Sequence, residues 1–153
     1  MKTEIIEVSP LYLAGVTVRT TNQNGQSQKD IGDLWGRIMQ GNLLSKIEDK
    51  LSDDTYCVYT DYESDYLGAY TCLIGHKVAS PDHVPDGFTG ITVEGGKYQV
   101  YELDGKFPEK VHAAWQEIWK SDVNRAYTAD YDVYNANAKS FEETDVKIYL
   151  AIV

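Results

Sequence analysis

The sequence predicts an α+β fold: two copies of a β-α-β-β unit forming a largely antiparallel sheet, with two main helices on one face and a cleft between the halves. Three observations predict it. The stretch from Glu94 to Val153 reads strand, helix, strand, strand. The first half carries the same order, and such self-similarity is the signature of a duplicated unit. Successive strands are joined in order, which favours antiparallel pairing, and helices that follow strands in both halves cover one face of the sheet.

The second half is the clearer copy. Its first strand is Gly96 to Leu103, ending in Asp104-Gly105. A helix from about Pro108 to Lys120 carries Val111, Trp115, Ile118 and Trp119, with Pro108 near the first turn, where a missing N–H does no harm. Asp130 to Tyr134 and Asp145 to Val153 supply the remaining strands.

The first half follows the same plan. Ile5, Ile6, Val8, Leu11, Leu13, Val16 and Val18 mark one interrupted strand or two short ones, broken at Pro10, which cannot donate to a ladder. Thr20 to Gln28 is a polar loop. Ile31, Leu34, Trp35 and Ile38 make a helical stripe over residues 29–50, and Gly41-Asn42 should break it into two helices. Thr55 to Glu63 and Leu67 to Val78 are strands, with Gly68 and Gly75 where the backbone bends or approaches a neighbour. The prolines at 81 and 85 mark a linker over about 79–89. The pseudo-repeats then span about 3–78 and 90–153 of a single domain, 1–153.

The two helices align with a Trp and an Ile at matching places: Ile31 to Met39 lies over Val111 to Trp119. Each is followed by a Tyr-x-x-Tyr, Tyr59 to Tyr62 and Tyr131 to Tyr134, and then by a hydrophobic strand holding Tyr70 or Tyr149. In this overlay Thr60 stands where the second half has Asp132. The cleft is therefore expected to carry one acid, from the second half.

Composition narrows the function. A net charge of −10 repels nucleic acid and anionic membrane and attracts cations. Twelve Tyr against three Phe suggest walls that are apolar in body and polar at the tip. Cys57 and Cys72 lack metal-ligand spacing and read as buried thiols in a reducing compartment. No apolar leader or membrane span is evident, so a cytoplasmic location is expected. No metal or cofactor motif is present. His76, His83 and His112 are scattered.

Several motifs, taken in order, resemble the GyrI-like small-molecule-binding domain, also called the bacterial transcription-activator effector-binding domain. Gly95 to Gly105 is similar to its G-K-Y-A-V-F opening strand, and Val111 to Trp119 to its A-W-x-x-I-Y helix. Tyr131-Asp132-Val133-Tyr134 resembles its F-E-V-Y strand, and Ile148 to Ile152 its closing I-Y-I-P-I, with Ala151 at the proline. Tyr70 to Val78 resembles the Y-x-L-G-x-x-V strand of its first half. The resemblance covers essentially the whole chain. It implies a stand-alone member without a DNA-reading module, and a cleft that binds lipophilic cations on aromatics beside a buried glutamate. That glutamate falls on Asp132, whose carboxylate sits about 1.5 Å further back.

The residues themselves fit a cation site. A carboxylate among aromatics either pairs with a cation or is driven toward its neutral form. Asp132 and Tyr134 share a strand face. The expected lining is Asp132, Tyr134, Tyr149, Tyr70, Tyr59, Trp35 and Trp115. The function read from the sequence is non-catalytic binding of a small lipophilic cation, for sensing or sequestration, with no cofactor, no direct nucleic-acid contact and no membrane. A homodimer or a protein partner stays open. Two alternatives stand beside it: a hydrolase using Asp132 or Glu102 as general base, and a protein-interaction inhibitor of DNA gyrase.

Overall fold

A computed structural model of the chain describes residues 2–103, 106–107, 109–135 and 145–153. The strands are β1 (Lys2–Val8), β2 (Leu11–Thr21), β3 (Thr55–Thr60), β4 (Ala69–Val78), β5 (Thr89–Val93), β6 (Gly96–Glu102), β7 (Ala129–Tyr134) and β8 (Val146–Ala151). The helices are α1 (Gln26–Gly41), between β2 and β3, and α2 (Glu109–Lys120), between β6 and β7. The expected Asp104-Gly105 turn and Pro108 lie outside the described residues.

All eight strands join one antiparallel sheet in the order β1-β6-β8-β7-β3-β4-β2-β5. The α+β architecture is as the sequence predicts. The lead strands, however, cross over. β1 precedes β2 yet pairs with β6, and β5 precedes β6 yet pairs with β2.

That crossing forces the sheet to curl. β1 and β2 lie six strand spacings apart in the order, about 29 Å if the sheet were flat. Ser9 and Pro10 alone connect them, and three Cα steps reach at most about 11 Å. The two ends of the sheet must therefore meet. At the meeting point the corners touch: a Cβ on Gly95 would lie 2.5 Å from the Val8 carbonyl oxygen and 2.9 Å from Pro10 Cδ. Gly75 answers a similar need, since a Cβ there would lie 1.9 Å from the Ala14 carbonyl oxygen. Pro10 thus marks the bend between two strands, where no ladder donor is required.

Each face of the sheet buries its own cluster. On one face, Leu13, Val58, Leu73, Tyr98 and Tyr131 pack together, with Tyr56 and Tyr149 against them. On the other, Cys57, Tyr70, Cys72, Ile148 and Leu150 meet Leu34 and Ile38 of α1 and Ala114, Trp115 and Ile118 of α2. Both helices therefore cover the same face. α1 begins at Gln26 inside the expected loop. It ends where Asn42 turns left-handed (φ 47°), its N–H bonded to the Ile38 and Met39 carbonyls. The expected second helix is a short 3-10 turn, Leu43–Lys46.

Candidate functional site

β7 sits beside the middle of the sheet, paired with β3 and β8. Its side chains alternate. Tyr131 belongs to the cluster away from the helices, so Asp130, Asp132 and Tyr134 point toward them. Above these residues, α1 and α2 part to leave a cavity of about 590 Å³. That is within the range of a drug-sized ligand site. Ile31 and Trp35 of α1, Trp115 and Trp119 of α2, Tyr59 of β3 and Tyr70 of β4 are in its wall.

The rings brace one another edge to face. Trp35 meets Tyr134 at 5.4 Å between centroids, and Tyr59 meets Trp115 at 5.3 Å and Tyr70 at 5.9 Å. Such contacts add to area burial and fix ring orientation. At the rim, His112 hydrogen-bonds Gln28 at 3.1 Å and Gln116 at 3.0 Å, linking α2 to α1.

Beneath the wall lies Asp132, with 0% of its surface exposed. Oδ2 accepts from the Tyr59 hydroxyl at 2.6 Å and the Tyr134 hydroxyl at 3.3 Å, and Oδ1 from Trp115 Nε1 at 3.3 Å. All three donors are neutral. No cation pairs with this carboxyl among the described residues. Burial pushes its pKa up to about 7, against the pull of the three hydrogen bonds. Burial, and then the neighbouring Asp132, drive the Tyr59 and Tyr134 hydroxyls well above the usual phenol range.

Two residues up the strand, Asp130 is equally buried but differently served. It accepts from the Tyr62 hydroxyl, from Arg125 Nη2 at 2.8 Å and from the Ala151 backbone N–H at 2.8 Å. Burial raises its pKa and Arg125 draws it back. Every contact is a donor, so the group sits as the carboxylate of an ion pair. Arg125 is caged in turn. Its guanidinium carbon lies 4.4 Å from the Tyr127 ring, 5.6 Å from Trp115 and 5.9 Å from Tyr62.

Six of the seven expected site residues gather here: Asp132, Tyr134, Tyr70, Tyr59, Trp35 and Trp115. Tyr149 does not. It pairs with Tyr131 across β7 and β8 and stacks on that ring at 4.7 Å on the opposite face. Asp132 pairs with Ile148, so strand alternation turns the next residue away. The overlay of the two Tyr-x-x-Tyr motifs fails for the same reason. Tyr59 packs on the helix side and Tyr131 on the other, so the copies are out of phase by an odd step. Thr60 is not the counterpart of the acid.

Tyr62, Asp130 and Arg125 were not expected in the site. Asp130 was within reach of the period-two rule that placed Asp132. Tyr62 escaped it because Asp61 is left-handed (φ 51°), which breaks alternation after β3 and swings Tyr62 over Tyr70. Glu102, the other candidate base, is outside the cavity on β6, where it meets Lys147 at 3.4 Å. Cys57 and Cys72 are buried and free, their sulfurs 3.4 Å apart. Among the described residues, no group of three or more His, Cys, Asp or Glu is placed to hold a metal ion. Nor, among the described residues, is any helix long and apolar enough to cross a membrane.

An antiparallel eight-stranded sheet with two helices over an aromatic cavity is the GyrI-like effector-binding architecture that the sequence motifs resemble. The chain belongs to the Cass2 family, integron-associated effector binding proteins, whose sequence profile matches residues 4–152. It is 28% identical over 144 residues to YobU of Bacillus subtilis (strain 168), a protein named as a transcriptional regulator, covering 91% of this chain and 90% of that one. Its structure is similar to the integron cassette protein VCH_CASS2 from the mobile metagenome of Vibrio cholerae: TM-score 0.75, 29% identity, 99% of this chain and 95% of that one. It also shares the fold of SAV2435, whose structure is bound to tetraphenylphosphonium: TM-score 0.79, 18% identity, 100% and 94% coverage.

Proposed function

We propose that this protein binds small lipophilic aromatic cations in the cavity between α1 and α2, as a sensing or sequestering protein with no catalysis of its own. One observation carries the reading: Asp132 is a fully buried acid with no protein cation among the described residues, under a wall of aromatic rings. A cation lying on those rings gains about 0.5–2 kcal/mol per good contact. It also gives Asp132 the opposite charge that burial denies it. The tetraphenylphosphonium bound to SAV2435 is a ligand of this chemistry. The two buried free cysteines fit a reducing, cytoplasmic setting.

Hydrolysis is less well supported. A general base must reach its substrate's proton, and Asp132 is walled off by the Tyr59, Tyr134 and Trp115 side chains that donate to it.

The test is tryptophan quenching with 9-aminoacridine, cationic at pH 7.5, against acridine, a neutral molecule of nearly the same shape. The reading expects saturable quenching by the cation and affinity weaker by about tenfold or more for the neutral ring. Equal affinity for both, or no binding of the cation, would overturn it.

A further inference from the structure

Arg125 is only half used by the protein. Nη2 meets Asp130 at 2.8 Å, whereas Nε and Nη1 are buried with no hydrogen-bond partner among the described residues. Those two nitrogens carry three N–H donors. Each buried donor without an acceptor has lost its water and gained nothing in return. The side chain is 5% exposed and held in place by the Tyr127, Trp115 and Tyr62 rings. It is part of the wall of the same cavity.

The charge is already balanced. Asp130 neutralises the guanidinium, so what Arg125 lacks is an acceptor atom rather than a counter-ion. Trp115 ties this spot to the acid: its indole N–H donates to Asp132 Oδ1, and its ring lies 5.6 Å from the guanidinium carbon. One planar ligand lying along Trp115 can therefore rest on the rings that cover the acid and also reach the guanidinium.

We infer that Arg125 forms a second subsite of the cavity, where a ligand that displaces one of the caging rings brings an acceptor oxygen to Nε–H or Nη1–H, so that the favoured ligands are aromatic amines that also bear a carbonyl or carboxylate oxygen. The inference rests on the cation reading of the cavity and refines its ligand class. Plain lipophilic cations fill the aromatic part and leave the Arg125 donors without a ligand acceptor.

The test compares the 2- and 3-carboxamides of 9-aminoacridine with the 2- and 3-isopropyl analogues, which match them in shape but carry no acceptor. At least one carboxamide should bind about tenfold tighter than its isopropyl partner, as expected for a hydrogen bond from a charged donor. Arg125→Lys, which keeps a cation for Asp130, should erase that gain, so that carboxamide and isopropyl partner bind the variant within about twofold of each other, whatever its affinity for 9-aminoacridine. No gain in the natural protein, or a gain that survives in Arg125→Lys, overturns the inference. If Arg125→Lys does not fold, the Arg125 Nε–H resonance of the natural protein decides. It should move downfield with the carboxamide and stay with the isopropyl compound; an unmoved resonance overturns the subsite. Failure of 9-aminoacridine itself to bind is a different result, which removes the cation reading and the subsite together.

Discussion

The Tyr59 hydroxyl donates to Asp132 Oδ2 at 2.6 Å, and Tyr59 is in the cavity wall while Asp132 has no exposed surface. The phenol therefore stands between the acid and whatever occupies the cavity. Aspartate is one methylene shorter than the glutamate that the motif resemblance implies here, and the tyrosine hydroxyl lies in front of its carboxylate. On the proposed reading, the cation meets rings first and the charge behind them second.

Removing that hydroxyl should change the acid more than the fold. The Tyr59 bond lowers the Asp132 pKa against burial. Loss of a hydrogen bond to a charged group costs the ionised form roughly 1.5 kcal/mol or more, about one pH unit. Tyr59→Phe should move the pH midpoint of cation binding up by about one unit. At pH 7 this weakens tetraphenylphosphonium binding about fivefold, as calorimetric titration can read.

Asp132 should also lower stability where it is charged. Its folded pKa is raised from 3.8 to about 7, so the folded state holds a proton that the unfolded state has released. Stability is highest below pH 3.8 and falls as pH rises toward 7, by about 4 kcal/mol for this group alone. Asp132→Asn removes the ionisation. It should raise urea-unfolding stability at pH 8 by about 1–3 kcal/mol, with the gain fading toward pH 5. A variant less stable than the natural protein at pH 8 would contradict this.

Asp130 behaves oppositely because it has a built-in cation. Asp130→Ala leaves Arg125 buried and unpaired and should cost about 3–5 kcal/mol in denaturant unfolding. The two acids lie two residues apart on one strand face, yet their replacement should shift stability in opposite directions.

Tyr149 supplies the control. It stacks on Tyr131 on the far side of the sheet, so Tyr149→Phe should change cation affinity by less than about twofold. A larger loss would place the ligand somewhere other than this cavity.

How far the site could be read depended on which rule governed each residue. Trp35 and Trp115 fell on the cavity because helical periodicity marks the inner face of α1 and α2 directly. Asp132 and Tyr134 followed from strand alternation. Tyr149 was misplaced because its parity depends on pairing with Tyr131 and Ile148 with Asp132, a register that no local pattern states. Arg125 lies in the irregular stretch between α2 and β7, where no period applies. Its partner Asp130 was readable, but only as a second acid on the same strand face. The exchange of β1 and β5 is a property of the whole curled sheet, and its local trace is the Pro10 bend facing Gly95.

The most direct test of the central claim uses a cation whose own charge does not titrate. Tetraphenylphosphonium affinity should rise about tenfold from pH 6 to pH 8, as the ionised fraction of an acid with a pKa of about 7 goes from about a tenth to nine tenths. In Asp132→Asn the affinity should be weak and flat across that range. A pH-independent affinity in the natural protein, or a pH dependence that survives in Asp132→Asn, would show that the cation does not use this acid.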